Sequence, residues 1–102
     1  METIRRKILR LAKEYLNDKD YHRGFILQPW IDRITEELNL KELSDLELSN
    51  MWDMVFLTLD NAYLACRLNE EHKEAMKYLD VQSAFTEVIN AEARRRRKER
   101  GE

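Results

Sequence analysis

Glycine and proline are nearly absent, with two of one and one of the other in 102 residues. Sheets need turns, and turns draw on Gly, Pro, Asn and Asp. The scarcity argues against a strand-rich fold and for helices joined by short links. Cysteine occurs once, as Cys66, so no internal disulfide can form and nothing points to an oxidising compartment. Long apolar runs are missing too. MVFLTL, the longest mostly apolar stretch, is flanked by Asp53 and Asp60 and is far shorter than the roughly 18 residues of a membrane span. The opening METIRRKILRLAKEYL carries charges throughout, which argues against a secretory leader. The expectation is a soluble, cytoplasmic protein without membrane contact.

A strong net charge is also lacking. The chain carries −2, with a pI near 5.8, whereas a dedicated nucleic-acid-binding domain is usually strongly basic. The charge is unevenly spread. Seven basic and four acidic side chains give residues 1–29 a net +3, and two against eight give residues 30–60 a net −6. Residues 61–90 carry −2 and residues 91–102 carry +3. Basic ends therefore flank an acidic middle, and they can lie against it within the fold or between subunits.

What is present is helical periodicity. Ile4, Ile8, Leu11 and Tyr15, widened by Leu9, Ala12 and Leu16, predict a first helix over residues 3–16. Its opposite face holds Arg5, Arg6, Lys7, Arg10 and Lys13. Asn17, Asp18, Asp20 and Gly24 then mark a turn region. A second helix starts near Pro29, since proline is tolerated in a first turn. Its apolar face is Trp30, Ile31, Ile34 and Leu38, with Asn39 as the stop. Ser44 followed by Glu47 has the capping-box spacing, so a third helix runs from about Asp45 to Leu68. One stripe on it comprises Leu48, Met51, Trp52, Val55, Phe56, Leu59, Ala62, Tyr63 and Cys66. A second comprises Met54, Leu57, Leu64 and Leu68, interrupted by Asn61. A helix apolar on two sides is usually central. The fourth helix carries Ala75, Met76, Tyr78, Leu79, Val81, Ala84, Phe85, Val88 and Ile89, and its stripe drifts near Asp80, where a kink or break would fit. The fold class is therefore all-α: a three- to four-helix bundle whose last two helices form a long antiparallel hairpin. Residues 1–93 make a single helical domain and residues 94–102 a basic C-terminal tail.

Few residues suggest chemistry. His22, Cys66 and His72 lack the spacing of a metal site, and Cys66 falls on an apolar stripe where a free thiol is usually core. Ser44 has a capping role, Ser49 and Ser83 fall within helices, and two isolated glycines make no phosphate loop. The segments EEHKE (70–74) and EVIN (87–90) resemble the EExxE…ExxD pattern of the all-helical MazG-type nucleotide pyrophosphohydrolases, over about a fifth of the chain. The resemblance implies magnesium held against a nucleoside triphosphate by Glu70 or Glu71, Glu74 and Glu87, with Asn90 standing where the pattern has Asp. One unbroken helix over residues 70–90 would separate Glu71 from Glu87 by roughly 24 Å, so that chemistry requires the chain to turn back between them.

The reading carried forward is a non-enzymatic protein-interaction module, a small regulator, adaptor or inhibitor, with no catalytic residue, cofactor or metal assigned. Its partner is another protein, a second copy of the chain included. A chain this short has few helices to cover a third helix that is apolar on two sides, which makes Met54, Leu57, Leu64 and Leu68 the candidate interface. The alternative is a nucleic-acid-associated regulator. It would use Arg5, Arg6 and Arg10 at one end and Arg94, Arg95, Arg96 and Arg97 at the other. With no reading motif and no interleaved aromatic, its contacts would be weak, to phosphates and independent of sequence. The same arginines could instead meet an acidic protein surface, or simply extend the last helix.

Overall fold

A computed structural model describes residues 2–22, 25 and 28–101. The described residues are all helical or irregular, with four α-helices: α1 (Ile4–Leu16), α2 (Gln28–Leu38), α3 (Asp45–Leu68) and α4 (His72–Glu99). A short 3-10 turn, Leu40–Glu42, links α2 to α3. Gly24, expected to help turn the chain after α1, lies outside the described residues.

Local chemistry sets each boundary. Thr3 opens α1, its hydroxyl accepting from the Arg6 amide at 3.2 Å. Asn39 ends α2 in the left-handed conformation (φ 52°), which asparagine tolerates better than most residues. At Ser44 both halves of the capping box form. The Glu47 amide donates to the Ser44 hydroxyl (3.1 Å), and the Ser44 amide donates to the Glu47 carboxylate (2.9 Å). The α3–α4 reversal is a Schellman closure. The Glu71 amide returns to the Cys66 carbonyl (2.8 Å) and the Glu70 amide to the Arg67 carbonyl (3.1 Å). Asn69 thus ends α3 rather than opening α4, and Glu70 takes the left-handed position with φ 61°.

The core gathers Ile8, Leu11, Ala12 and Tyr15 of α1 with Trp30, Ile34 and Leu38 of α2. Leu40 joins them, as do Leu48, Met51, Val55 and Leu59 of α3 and Val81, Phe85, Val88 and Ile89 of α4. A polar collar surrounds the aromatic part. The Tyr15 ring meets Tyr21 and Trp30 edge-on at 5.4 and 5.6 Å. The Trp30 indole donates to Asp18, and the Tyr21 hydroxyl to Asp80 at 2.7 Å.

Three sequence expectations change here. The α4 helix runs unbroken through Asp80, whose carboxylate is held by Tyr21. Phe56 is exposed and Trp52 only half-buried, because among the described elements α1 and α4 make the main contacts with α3 and its buried stripe is narrow. The Trp52 indole donates to Asn90 at 2.9 Å across the hairpin. Nor is α3 the sole spine, since α4 buries Ala75, Val81, Ala84, Phe85, Val88, Ile89 and Glu92.

Candidate functional site

At 100° per residue, the buried side chains of α3 line one face and Met54, Leu57, Leu64 and Leu68 the other. These four are 40%, 65%, 47% and 85% exposed. The helix beneath them is fixed by its packed side and its cap, so the stripe is a preformed surface. Asn61 is exposed between Leu57 and Leu64, and its side chain makes no hydrogen bond among the described residues. Asp53, Asp60 and Arg67 run along one flank, where the Arg67 guanidinium sits 5.9 Å from the Tyr63 ring centre.

The arginine block separates into different roles. Residues 94–98 continue α4. Arg96 turns inward, with its side chain 13% exposed. It donates to Asp45 (3.0 Å), Glu92 (3.1 Å) and the backbone carbonyls of Leu40 (2.7 Å) and Leu43 (2.6 Å). Arg95 grips the buried Glu92 through two bonds and also reaches Glu99. Those bonds hold the Glu92 carboxyl below its ordinary value, with Arg95 the larger influence and burial opposing it. Arg96 and then Arg100 lower Asp45 in the same way. Arg94 pairs with Glu87 at 3.0 Å, while Arg97 is exposed with no ion pair among the described residues. At the other end Arg10 meets Glu2 (2.9 Å), Glu37 (3.0 Å) and Glu14 (3.4 Å), and Arg5 and Arg6 are exposed. The basic ends therefore lie partly against acidic groups of the same chain. A shallow groove of about 650 Å³ between α1 and α2 is lined by Arg6, Arg10, Lys13, Glu14, Trp30 and Arg33. In it the Arg33 guanidinium stacks 4.7 Å from the Trp30 ring centre.

The acidic residues of the pyrophosphohydrolase-like pattern are not brought together. Glu74 and Glu87 lie 13 positions apart on one continuous α4, hence roughly 20 Å apart along it. Among the described residues no three His, Cys, Asp or Glu side chains converge as metal ligands. His22 and His72 are exposed. Cys66 is half-buried rather than core. Burial raises its thiol, and the carboxylates of Glu71 and Glu74 add to the effect. The Ser83 hydroxyl donates back to the Leu79 carbonyl at 3.1 Å, and Ser49 is exposed.

Sequence reasoning missed two features. Glu92 lies beyond the apolar stripe of α4, which ends at Ile89, yet it is 5% exposed. Its i,i+4 spacing to Arg96 was the available signal. The Asp18–Trp30 and Tyr21–Asp80 bonds had no local signal, because loop and helix meet only in three dimensions. No family model, curated protein or solved structure matches this chain. Among the described residues, no helix is long and apolar enough to cross a membrane.

Proposed function

We propose that this chain is a non-enzymatic interaction module, a small helical regulator, adaptor or inhibitor, that docks a helical partner on the outer face of α3. The observation that carries the reading is the exposure of Met54, Leu57, Leu64 and Leu68 along one side of a helix already anchored on the other. Partner helices engage such surfaces through anchors at i, i+3, i+4 and i+7 spacing, and contiguous exposed apolar patches commonly mark interfaces. Capture from the native host with wild type and Leu57→Glu tests it. Loss of one defined protein with Leu57→Glu, at unchanged helicity, is the expected outcome. Magnesium-dependent pyrophosphate release from a nucleoside triphosphate, abolished by Glu71→Gln, would overturn the non-enzymatic assignment.

The nucleic-acid reading draws on the basic groove at Arg6, Arg10, Lys13 and Arg33 and on exposed Arg5 and Arg97. The engagement of Arg10 and Arg96 by carboxylates of the same chain weighs against it, since those charges are partly neutralised. If this reading holds, retention on duplex DNA survives Leu57→Glu. It also falls with salt at a log–log slope of about −0.9 per phosphate neutralised.

A further inference from the structure

The outer stripe of α3 has a finer order than exposure alone. Met54, Leu57, Asn61, Leu64 and Leu68 alternate spacings of three and four residues, the a/d seam of a left-handed two-helix coil. Met54, Asn61 and Leu68 take a positions, and Leu57 and Leu64 take d positions. The core stripe through Leu48, Met51, Val55 and Leu59 is centred roughly 145° around the helix from the seam at 100° per residue. The seam is therefore additional to the contacts that hold the bundle together.

We infer that this seam pairs in parallel register with the same seam of a second copy, with the two Asn61 amides facing each other. The inference rests on the interaction reading above and names its partner. Asn61 identifies the occupant. A single asparagine at an a position weakens a coil but sets register and strand number, because its amide is satisfied by the same amide on the twofold. An unrelated apolar helix would leave Asn61 buried without a partner. The identical seam supplies one automatically, as twofold association requires.

The flanks favour the parallel direction. In that register Asp60 lies beside Ala65 of the second copy, so no like charges meet. Antiparallel pairing centred on this stretch brings the two Asp60 side chains near each other and layers Asn61 against leucine. It would gain an Arg67–Asp53 contact, but an exposed ion pair contributes less than a stranded amide costs. The seam runs over 15 residues, Met54 to Leu68, roughly 21 Å end to end, and a free helix of that length would be marginal. Here the helix is already formed before association, its inner half packed in the bundle and its outer half closed onto α4 through the Glu71–Cys66 and Glu70–Arg67 backbone bonds, so less ordering is lost on pairing than for a free helix.

Sedimentation equilibrium on the full chain, from about 1 µM to several hundred µM, tests the occupant. The expected result is a monomer–dimer equilibrium. Leu57→Glu should abolish it with unchanged helicity, and Leu68→Glu, at the most exposed seam position, repeats the test if the first variant misfolds. Asn61→Leu should tighten association at least tenfold and admit higher oligomers. Direction is read by mild oxidation of Leu68→Cys in a Cys66→Ala background, where parallel pairing gives a cross-linked dimer. A wild type that stays monomeric throughout overturns the second copy as occupant. It leaves the docking reading standing if Leu57→Glu still loses a captured protein. A dimer that survives both glutamates overturns the seam, and a dimer without the Leu68→Cys cross-link overturns the parallel register.

Discussion

The two ends of the α3–α4 hairpin are built from similar residues and live in different surroundings. Near the bundle, residues 45–59 and 81–99 pack against α1, α2 and the 3-10 turn. All five buried residues of α3 fall there, as do six of the seven on α4. Beyond it, among the described residues of 60–68 and 72–80, Ala75 alone is buried. Leu64, Leu68 and Met76 are exposed in this outer part. Apolar content therefore does not determine burial here; the number of neighbouring elements does. The inner part is stabilised by the core, while the outer part depends on its caps, its helix propensity and whatever docks on it. Local opening free energies track this kind of difference.

The largest expected effect comes from testing that contrast with large-to-small substitutions. Phe85, fully buried on α4, should lose about 3–5 kcal/mol on replacement by alanine. Leu68→Ala, at the far end, should change stability by less than about 0.5 kcal/mol. Urea denaturation measures both. Comparable losses would mean that the outer part belongs to one cooperative core.

Next comes the ion network that fastens the end of α4 to the start of α3. Arg96→Ala leaves Glu92, Asp45 and two carbonyls short of a donor, and should destabilise by about 2 kcal/mol. The pH dependence carries a sign. Glu92 has its folded carboxyl lowered from an ordinary 4.5 and Asp45 from 3.8. Their stabilisation is complete above those ordinary values and is lost as pH falls through the lowered ones. Acid titration of stability between neutral pH and about pH 2 should therefore show a loss in wild type that Arg96→Ala reduces. An unchanged acid profile would show that Arg96 does not maintain the lowered carboxyls.

How much of this was legible follows from the range over which each cause acts. The Ser44–Glu47 box, Pro29 in the first turn of α2 and Asn39 at its end act within four residues, so the sequence displays them. The pairing of α3 with α4 follows from two long amphipathic segments and a short link. Phe56 was misplaced because it sits about 100° around the helix from Val55, and periodicity alone does not say where a stripe meets solvent. The arginine block was opaque for a related reason. Arg96 and Arg97 look alike in sequence, yet one reaches Asp45, 51 positions away, and the other projects outward. Only packing distinguishes them.

Two cap substitutions give smaller effects and sharpen the comparison at opposite ends of α3. Ser44→Ala removes a hydroxyl acceptor from the Glu47 amide at the inner end. It should cost about 1 kcal/mol, seen as a lower global stability in thermal or urea melts.

At the outer end the opposite sign is expected. Glu70 holds φ 61° at the position where a Schellman closure usually has glycine. A side chain with a Cβ is disfavoured there by about 1 kcal/mol, and glycine returns part of that through the larger entropy of its unfolded chain. Glu70→Gly should therefore stabilise by roughly 0.5 kcal/mol. Where that gain appears is the more informative result. If the hairpin unfolds only with the core, global stability rises by the full amount. If residues 60–80 open on their own, native-state hydrogen exchange slows there while the amides around Phe85 and Ile89 keep their wild-type rates. The burial pattern predicts the second outcome, because Ala75 is the one described residue buried in the outer part, and the contacts of Tyr78 and Asp80 tie just its inner edge to the core. Slower exchange spread evenly along both helices would show that the hairpin moves as one body.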